Sequence, residues 1–251
     1  MTWPAISWRR APTVSAAALR RADAEALSQF GIEPLQLMEI AGWQVARFVH
    51  DFFNGIRGKR VAVIAGPGNN GGDALAAARF LHQRGAIVSA SIVPPRDASS
   101  LVAHHAAIVR RMGISVRDAP DGIEPSVDAV VDGLFGTGIR PPLREPAPRI
   151  IAAMHATGRP IVAIDVPSGM DSDTGQGAET AVRAAATLTL AAPKAGLAGA
   201  GNAGRVFLAD IGMPASLFGA DGEAIAALYA VGDLVELVDP ELNSAGKEMV
   251  S

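Results

Sequence analysis

The sequence contains no cysteine in 251 residues. That excludes a disulfide framework, a thiolate metal site and a cysteine nucleophile, and it fits a reducing compartment. Aromatic residues are only 5 %, which disfavours a base-stacking surface for single-stranded nucleic acid. Charge of one sign is also lacking. Lys plus Arg number 22 against 25 Asp plus Glu, for a formal net charge of -3, so no clustered basic surface for a duplex is expected. No apolar run approaches the roughly 18–20 residues that span a bilayer. Residues 1–10 carry two Trp and two Arg but no apolar h-region of a secretory signal. The expectation is a cytoplasmic protein that binds neither nucleic acid nor membrane.

What is present is an ordinary globular balance, 49 % apolar and 19 % charged, on a chain long enough to bury roughly 70–75 % of its unfolded surface. Residues 13–30 read as an Ala-rich helix with Thr13 or Ser15 as cap and Gly31 as stop. Pro34 suits the first turn of a second helix. There Leu37, Met38, Ala41, Val45, Phe48, Val49 and Phe52 recur at helical spacing, as a core-facing stripe does. The period then changes. Apolar runs at 61–65, 87–93, 114–116, 127–131, 161–164, 188–191 and 205–209 read as strands. Segments 74–84, 101–112, 145–157 and 178–186 read as helices. Continuous apolar strands alternating with helices predict one three-layer α/β/α Rossmann-like domain with a mostly parallel sheet and two extra N-terminal helices. Its core is expected at about 13–219, with 220–251 as a C-terminal tail whose last ten residues are disordered.

In open α/β sheets ligands bind beyond the carboxyl ends of the strands, and four such ends are unusual. The first is the run from Gly66 to Asp73, with four glycines and two asparagines in one strand-to-helix turn. Glycine permits positive φ and close approach of a ligand to the backbone, and Gly66, Gly68 and Gly71 match G-x-G-x-x-G. No acidic residue closes the next strand as a ribose partner, however, and Asp73 places negative charge where a pyrophosphate would sit. No Lys-Ser or Lys-Thr follows, which excludes Walker A. The second, Asp132 to Gly138 and on to Pro142, joins a hard oxygen donor to a backbone nest, with Arg140 and Arg144 as charge for phosphate. Asp165 opens the third, before a fixed Pro167-Ser168-Gly169 turn, and resembles an acid/base position. The fourth carries Lys194, able to bind phosphate or steer a proton. The competing readings are structural: a tight turn, a surface loop, an Asx-type cap and a solvated lysine. The five histidines form no metal spacing such as H-E-x-x-H, and no G-x-S-x-G elbow is present.

Taken in order, the run 37–42, the Gly-rich turn at 66–73, and the segments 132–138, 165–175, 192–197 and 209–212 resemble the YjeF N-terminal domain family, the NAD(P)H-hydrate epimerases. The resemblance implies a Rossmann-type fold, often dimeric, that interconverts the R and S epimers of NADHX and NADPHX, in which water has added at C6 of the reduced nicotinamide ring. A partner dehydratase repairs only the S form. By the family pattern Asn69, Asn70, Gly71, Gly72 and Asp73 contact the hydrate, as do Gly136, Thr137, Gly138, Ile139, Arg140, Pro141, Pro142 and Asp165. Asn70, Asp132 and Ser168 match positions that hold a potassium ion, one per subunit. Oxygen donors with a single carboxylate among them suit one positive charge better than Mg²⁺ or Ca²⁺. Ile40 and Ala74 stand where the family often has a polar residue and Gly. Only a short tail follows Asp210, so the dehydratase is expected on a separate chain.

The expected chemistry needs a proton donated to the leaving hydroxyl, a positive charge stabilised, and a proton removed from returning water. Asp165 is the first candidate for that acid–base work and Lys194 the second. Two other readings compete: an NAD(P)-dependent oxidoreductase, from the G-x-G-x-x-G match, and a non-catalytic nucleotide-binding or scaffold protein of the same fold.

Overall fold

Local signals set the first two helices. In α1 (Ala16–Phe30) the Ser15 hydroxyl accepts from the Ala18 N–H at 3.2 Å, and Gly31 ends the helix at φ 66°. Pro34 opens α2 (Pro34–Phe52) behind a capping box between Glu33 and Gln36. Its stripe Leu37, Met38, Ala41, Val45, Phe48 and Val49 is buried. Gly42 lies where α2 crosses α3 (Asn69–Gln83): a Cβ built on Gly42 would stand 2.4 Å from Cβ of Ala76.

The computed structural model describes residues 3–119, 123–124, 126–177 and 181–239. The strands are β1 (Ala5–Ser7), β2 (Arg60–Ala65), β3 (Ile87–Ile92), β4 (Ser115–Asp118), β5 (Ala129–Gly133), β6 (Ile161–Ile164), β7 (Ala186–Leu190), β8 (Arg205–Ala209) and β9 (Leu234–Val238). They form one sheet in the order β1-β9-β8-β7-β6-β5-β2-β3-β4, parallel throughout except for β8 against β9. The order runs outward from β2 to β4 on one side, then restarts at β5 on the other. Right-handed crossovers therefore send helices to opposite faces. Helix α3, joining β2 to β3, and α4 (Leu101–Arg111) pack with α1 and α2 on Val61, Val63, Val131 and Val162. Helix α5 (Ala147–Ala156), joining β5 to β6, packs on Ala62, Ile64, Val130 and Ala163. Both faces are covered, which is why the central strands are continuously apolar.

Three expectations are corrected. The helix expected at 178–186 does not form over 181–185; positions 178–180 lie outside the described residues. Its backbone donors go to other segments instead: Val182 N–H to Ser168 O, Ala184 N–H to Asn202 O and Ala185 N–H to Ile161 O, at 2.8–2.9 Å. The sheet also exceeds the expected core of 13–219. In the presumed tail, α6 (Gly222–Val231) and β9 form, and β9 joins β8 and β1 in register Ala5↔Glu236. The expected disorder of the last ten residues lies outside the described ones. Finally, α3 begins at Asn69 rather than 74, so Asp73 is not a first-turn charge. The N-terminal segment docks on its own sheet: the Trp3 ring is 4.9 Å from Phe207 and 5.7 Å from Phe48.

Gly42→Ala is expected to destabilise the fold by about 1–3 kcal/mol despite the better helix propensity of alanine, because overpacking outweighs it. A denaturant midpoint that falls with an unchanged slope would show this; an unchanged midpoint would refute the close crossing.

Candidate functional site

The reversal of strand order between β2 and β5 opens a crevice at their carboxyl ends. A cavity of about 480 Å³ lies there. It is bounded by the loops after β2, β5, β6 and β7 and roofed by residues of α1 and α2, among them Arg20, Asp23, Leu37 and Met38.

Two adjacent strands end in the same device. Asp165, after β6, has φ 67°, and Ala191, after β7, has φ 63°. Val166 N–H returns to Ile164 O at 2.8 Å, and Ala192 N–H to Leu190 O at 2.7 Å. Both are γ-turns centred on a left-handed residue other than glycine, a strained arrangement that persists only where the surroundings enforce it. The turns bring two charges together. Lys194, 1 % exposed, donates to Leu190 O at 2.6 Å and pairs with Asp165 Oδ1, whose side chain is 13 % exposed. Leu190 N–H also points at Asp165 Oδ1, at 3.3 Å. Oδ2 is left beside Gly136, where a Cβ would stand only 2.9 Å from it.

Behind the cavity, Asp132 is fully buried at the end of β5. Ser168 Oγ donates to its Oδ1 at 2.6 Å, Ser168 N–H to its Oδ2 at 2.9 Å, and Leu134 N–H to its Oδ1 at 3.1 Å. Burial pushes the Asp132 carboxyl up to about 6, with these hydrogen bonds opposing the shift. Asn70 donates through Nδ2 to Ile164 O at 3.3 Å, while its buried Oδ1 has no hydrogen-bond partner. Among the described residues no cationic side chain pairs with Asp132.

A second acidic group faces the Asp165–Lys194 pair. Asp73 on α3 and Asp23 on α1 both line the cavity. The Asp73 carboxyl is raised well above the usual carboxylate range, first by burial, then by the charges of Asp165 and Asp23, with Lys194 opposing. Asp23 is raised as well, by desolvation and then by Asp165.

Of the residues expected from the sequence, the cavity gathers Asn69, Asn70, Asp73, Gly136, Thr137, Gly138, Ile139, Asp165 and Lys194. Asp132 and Ser168 stand behind its wall. Gly71, Gly72, Arg140, Pro141 and Pro142 do not line it. None of the glycines of the 66–73 turn uses the positive φ open to it. Gly66 and Gly71 are needed for packing: a Cβ on Gly66 would meet Leu134 O at 1.7 Å, and one on Gly71 would meet Gly66 O at 1.9 Å. Gly68 alone of these faces open space on the cavity rim. The charge of Arg140 acts on Asp171, whose carboxyl it helps lower. Ile40 and Ala74 lie off the cavity, and Ala74 is accommodated because Gly133 opposite it has no Cβ. Sequence reasoning missed Asp23, Arg20 and Met38, because a charged helix face and an apolar stripe look the same with or without a cavity beside them.

Asp73→Asn is expected to raise thermal stability by a few degrees at pH 7. A carboxyl whose folded pKa is raised binds its proton more tightly in the folded state, so stability falls as pH rises above the unfolded value toward the folded one. The gain should disappear near pH 3, where the wild-type carboxyl is protonated in both states. Melting curves at the two pH values check this; an Asn variant no more stable at pH 7 would contradict it.

The family described as YjeF-related protein N-terminus matches residues 34–196. A protein of Rhodopirellula baltica named NAD(P)H-hydrate epimerase is 35 % identical over 214 residues, covering 82 % of this chain and 86 % of that one. One of the same name from Limosilactobacillus fermentum is 36 % identical over 201 residues, covering 78 % and 95 %. A bifunctional NAD(P)H-hydrate repair enzyme of Salinibacter ruber is 35 % identical over 223 residues, but this chain spans only 41 % of its length. The crystal structure of the yeast protein YNL200c superposes with a TM-score of 0.74 at 29 % identity, covering 83 % of this chain and 93 % of that one. With its fold, its ordered motifs and these relatives agreeing, the chain belongs to the YjeF-related N-terminal family.

Proposed function

We propose that the protein is an NAD(P)H-hydrate epimerase, an isomerase that interconverts the R and S forms of NADHX and NADPHX. The observation that carries this reading is the buried Asp165–Lys194 pair facing a cavity built from the loops that carry the family motifs. The names of the two stand-alone relatives support it.

The chemistry follows from the substrate. Its hydroxyl-bearing carbon adjoins the ring nitrogen, whose lone pair expels the hydroxyl as water once that oxygen is protonated. The planar cation left behind takes water back on either face and releases a proton. The protein has to supply a proton, accept one, and stabilise positive charge between the two events. Asp73, whose surroundings favour the protonated carboxyl, suits the donor. Asp165, with Oδ1 turned to Lys194 and Leu190 N–H and Oδ2 left for the substrate, suits the acceptor and the stabilising charge. Lys194 has its Nζ engaged by Asp165 and Leu190 O, so its part is to hold Asp165. The N-terminus of α3, where Gly68 offers no capping side chain, and the Gly136–Thr137–Gly138 backbone suit the dinucleotide phosphates.

Asn70, Asp132 and Ser168 would hold a potassium ion. The fit rests on the unpartnered Asn70 Oδ1 and on a buried carboxylate without a cationic partner. The ion would supply a fixed positive charge behind the cavity wall. We also propose a homodimer in the cytoplasm, with the exposed Leu27, Phe30, Ile40 and Trp43 of α1 and α2 as the apolar contact, and a dehydratase acting on the S product. No helix among the described residues is long and apolar enough to cross a membrane.

The test is a coupled assay. R-NADHX is supplied with an S-specific dehydratase and its nucleotide, and recovery of reduced-nucleotide absorbance is followed with and without the protein. Protein-dependent recovery is expected; hydrate binding without turnover would leave the non-catalytic reading. Asp165→Asn should lower the rate about 10²-fold or more while ligand affinity holds within a few-fold. Asparagine keeps the size of the side chain but removes the countercharge of Lys194, so the melting temperature of the variant is measured beside its rate, and a rate loss in a protein that stays folded at the assay temperature is the expected result. Replacing K⁺ by Na⁺ after exhaustive dialysis should lower turnover; equal activity without any monovalent cation would remove the ion from the site.

A further inference from the structure

Tyr229 is the single tyrosine of the chain. It lies on α6, outside the residues 34–196 that the family matches. Its hydroxyl donates to the backbone carbonyl of Ala191. Burial, then the nearby charge of Asp210, push the phenol up, so it remains a donor at any physiological pH.

The position of that bond matters more than its existence. Ala191 is the positive-φ centre of the γ-turn after β7, a strained arrangement for an alanine that its surroundings have to enforce. The turn has two other restraints: Ala191 N–H donates to Ala209 O at 3.1 Å, and Ala192 N–H closes on Leu190 O at 2.7 Å. Leu190 O is the carbonyl that also receives Lys194 Nζ, while Leu190 N–H donates to Asp165 Oδ1. An unbroken chain of hydrogen bonds and peptide units therefore links the Tyr229 hydroxyl to the Lys194 ammonium and the Asp165 carboxylate. The Tyr229 ring itself packs against the apolar core, so its hydroxyl can be removed without removing its packing.

We propose that Tyr229 is a positioning residue for the Asp165–Lys194 pair, fixing the Ala191 turn in the conformation that keeps Lys194 against Asp165. Its consequence for turnover rests on the reading of Asp165 as the group that meets the substrate; its consequence for Lys194 does not. Tyr229→Phe is the variant of choice, since the ring stays and only the donor to Ala191 O is lost. With wild-type protein assayed in parallel, kcat should fall about 3–10-fold, the loss of one buried hydrogen bond, with KM within twofold and a melting temperature lowered by no more than a few degrees. Introduced into Asp165→Asn, the same change should cost less than twofold, because the pair it positions is already broken. An unchanged kcat, or a full additive loss in the Asp165→Asn background, would overturn the proposal.

A readout independent of turnover uses the amine itself. In brief acetic anhydride labelling followed by mass spectrometry, Lys194 should be protected in the wild type and acetylated several-fold faster in Tyr229→Phe, with Lys59 as internal standard. Equal labelling of Lys194 in both proteins would overturn the positioning role even if the wild type shows no epimerase activity. A wild type without activity would overturn the functional reading and leave the labelling result standing.

Discussion

The Lys194 ammonium is held almost wholly out of water, and the geometry of two strand ends depends on keeping it paired. A buried charge is tolerated only when a countercharge and well-placed acceptors replace its hydration. Here the countercharge comes from the end of β6 and the acceptor from the end of β7. Neither reaches Lys194 along a regular strand exit. Each chain must fold back on itself in a γ-turn, which forces Asp165 and Ala191 into the left-handed region. The strain is tolerated because the turns are over-determined by ladder bonds to Leu188 O and Ala209 O and by the Tyr229 hydroxyl. Burial is the first cause that raises the Asp73 carboxyl, and the pair adds to it, the Asp165 charge raising it further while Lys194 opposes.

Much of this was legible in the sequence, and the limits of legibility have physical causes. The strands at 161–164 and 205–209 are bounded as their apolar runs suggest, because both faces of the sheet are covered and nothing polar interrupts them. Ser15 and Gly31 mark the ends of α1 because capping is a local interaction. The connection at 181–185 has helical composition yet forms no helix, since Ser168, Asn202 and Ile161 offer acceptors that only the tertiary structure brings near. β1 and β9 escaped notice because each is short and its partner lies at the other end of the chain. For the site, the motif residues at strand ends converge as expected, whereas Asp23 and Tyr229 sit on helices whose sequence says nothing about what their polar atoms touch.

The Gly-rich turn shows how one residue type can serve different ends. Gly66 lets the loop after β2 press against the backbone of the loop after β5, bringing two strand exits closer than side chains would permit, and Gly71 lets the first turn of α3 close onto Gly66. Gly136 serves the opposite purpose, leaving Asp165 Oδ2 uncovered. α1 is tied to the same neighbourhood at its start: Val14 N–H donates to Pro193 O at 2.8 Å and Ala16 N–H to Asp173 Oδ1 at 2.7 Å. The roof that lends Asp23 to the cavity is thus anchored on both sides of the Asp165–Lys194 pair.

The two margins of the sheet bear on how copies of the chain can meet. One margin is β1, three residues long; the other is β4, four residues long and carrying Arg117 and Asp118. A strand from another molecule would find on either side a ladder too short, and on one side too charged, to extend. Growth of the sheet from protein to protein, the usual beginning of fibrous aggregation, is disfavoured at these ends, which leaves the helices and loops of the described residues as the better surfaces for contact between copies.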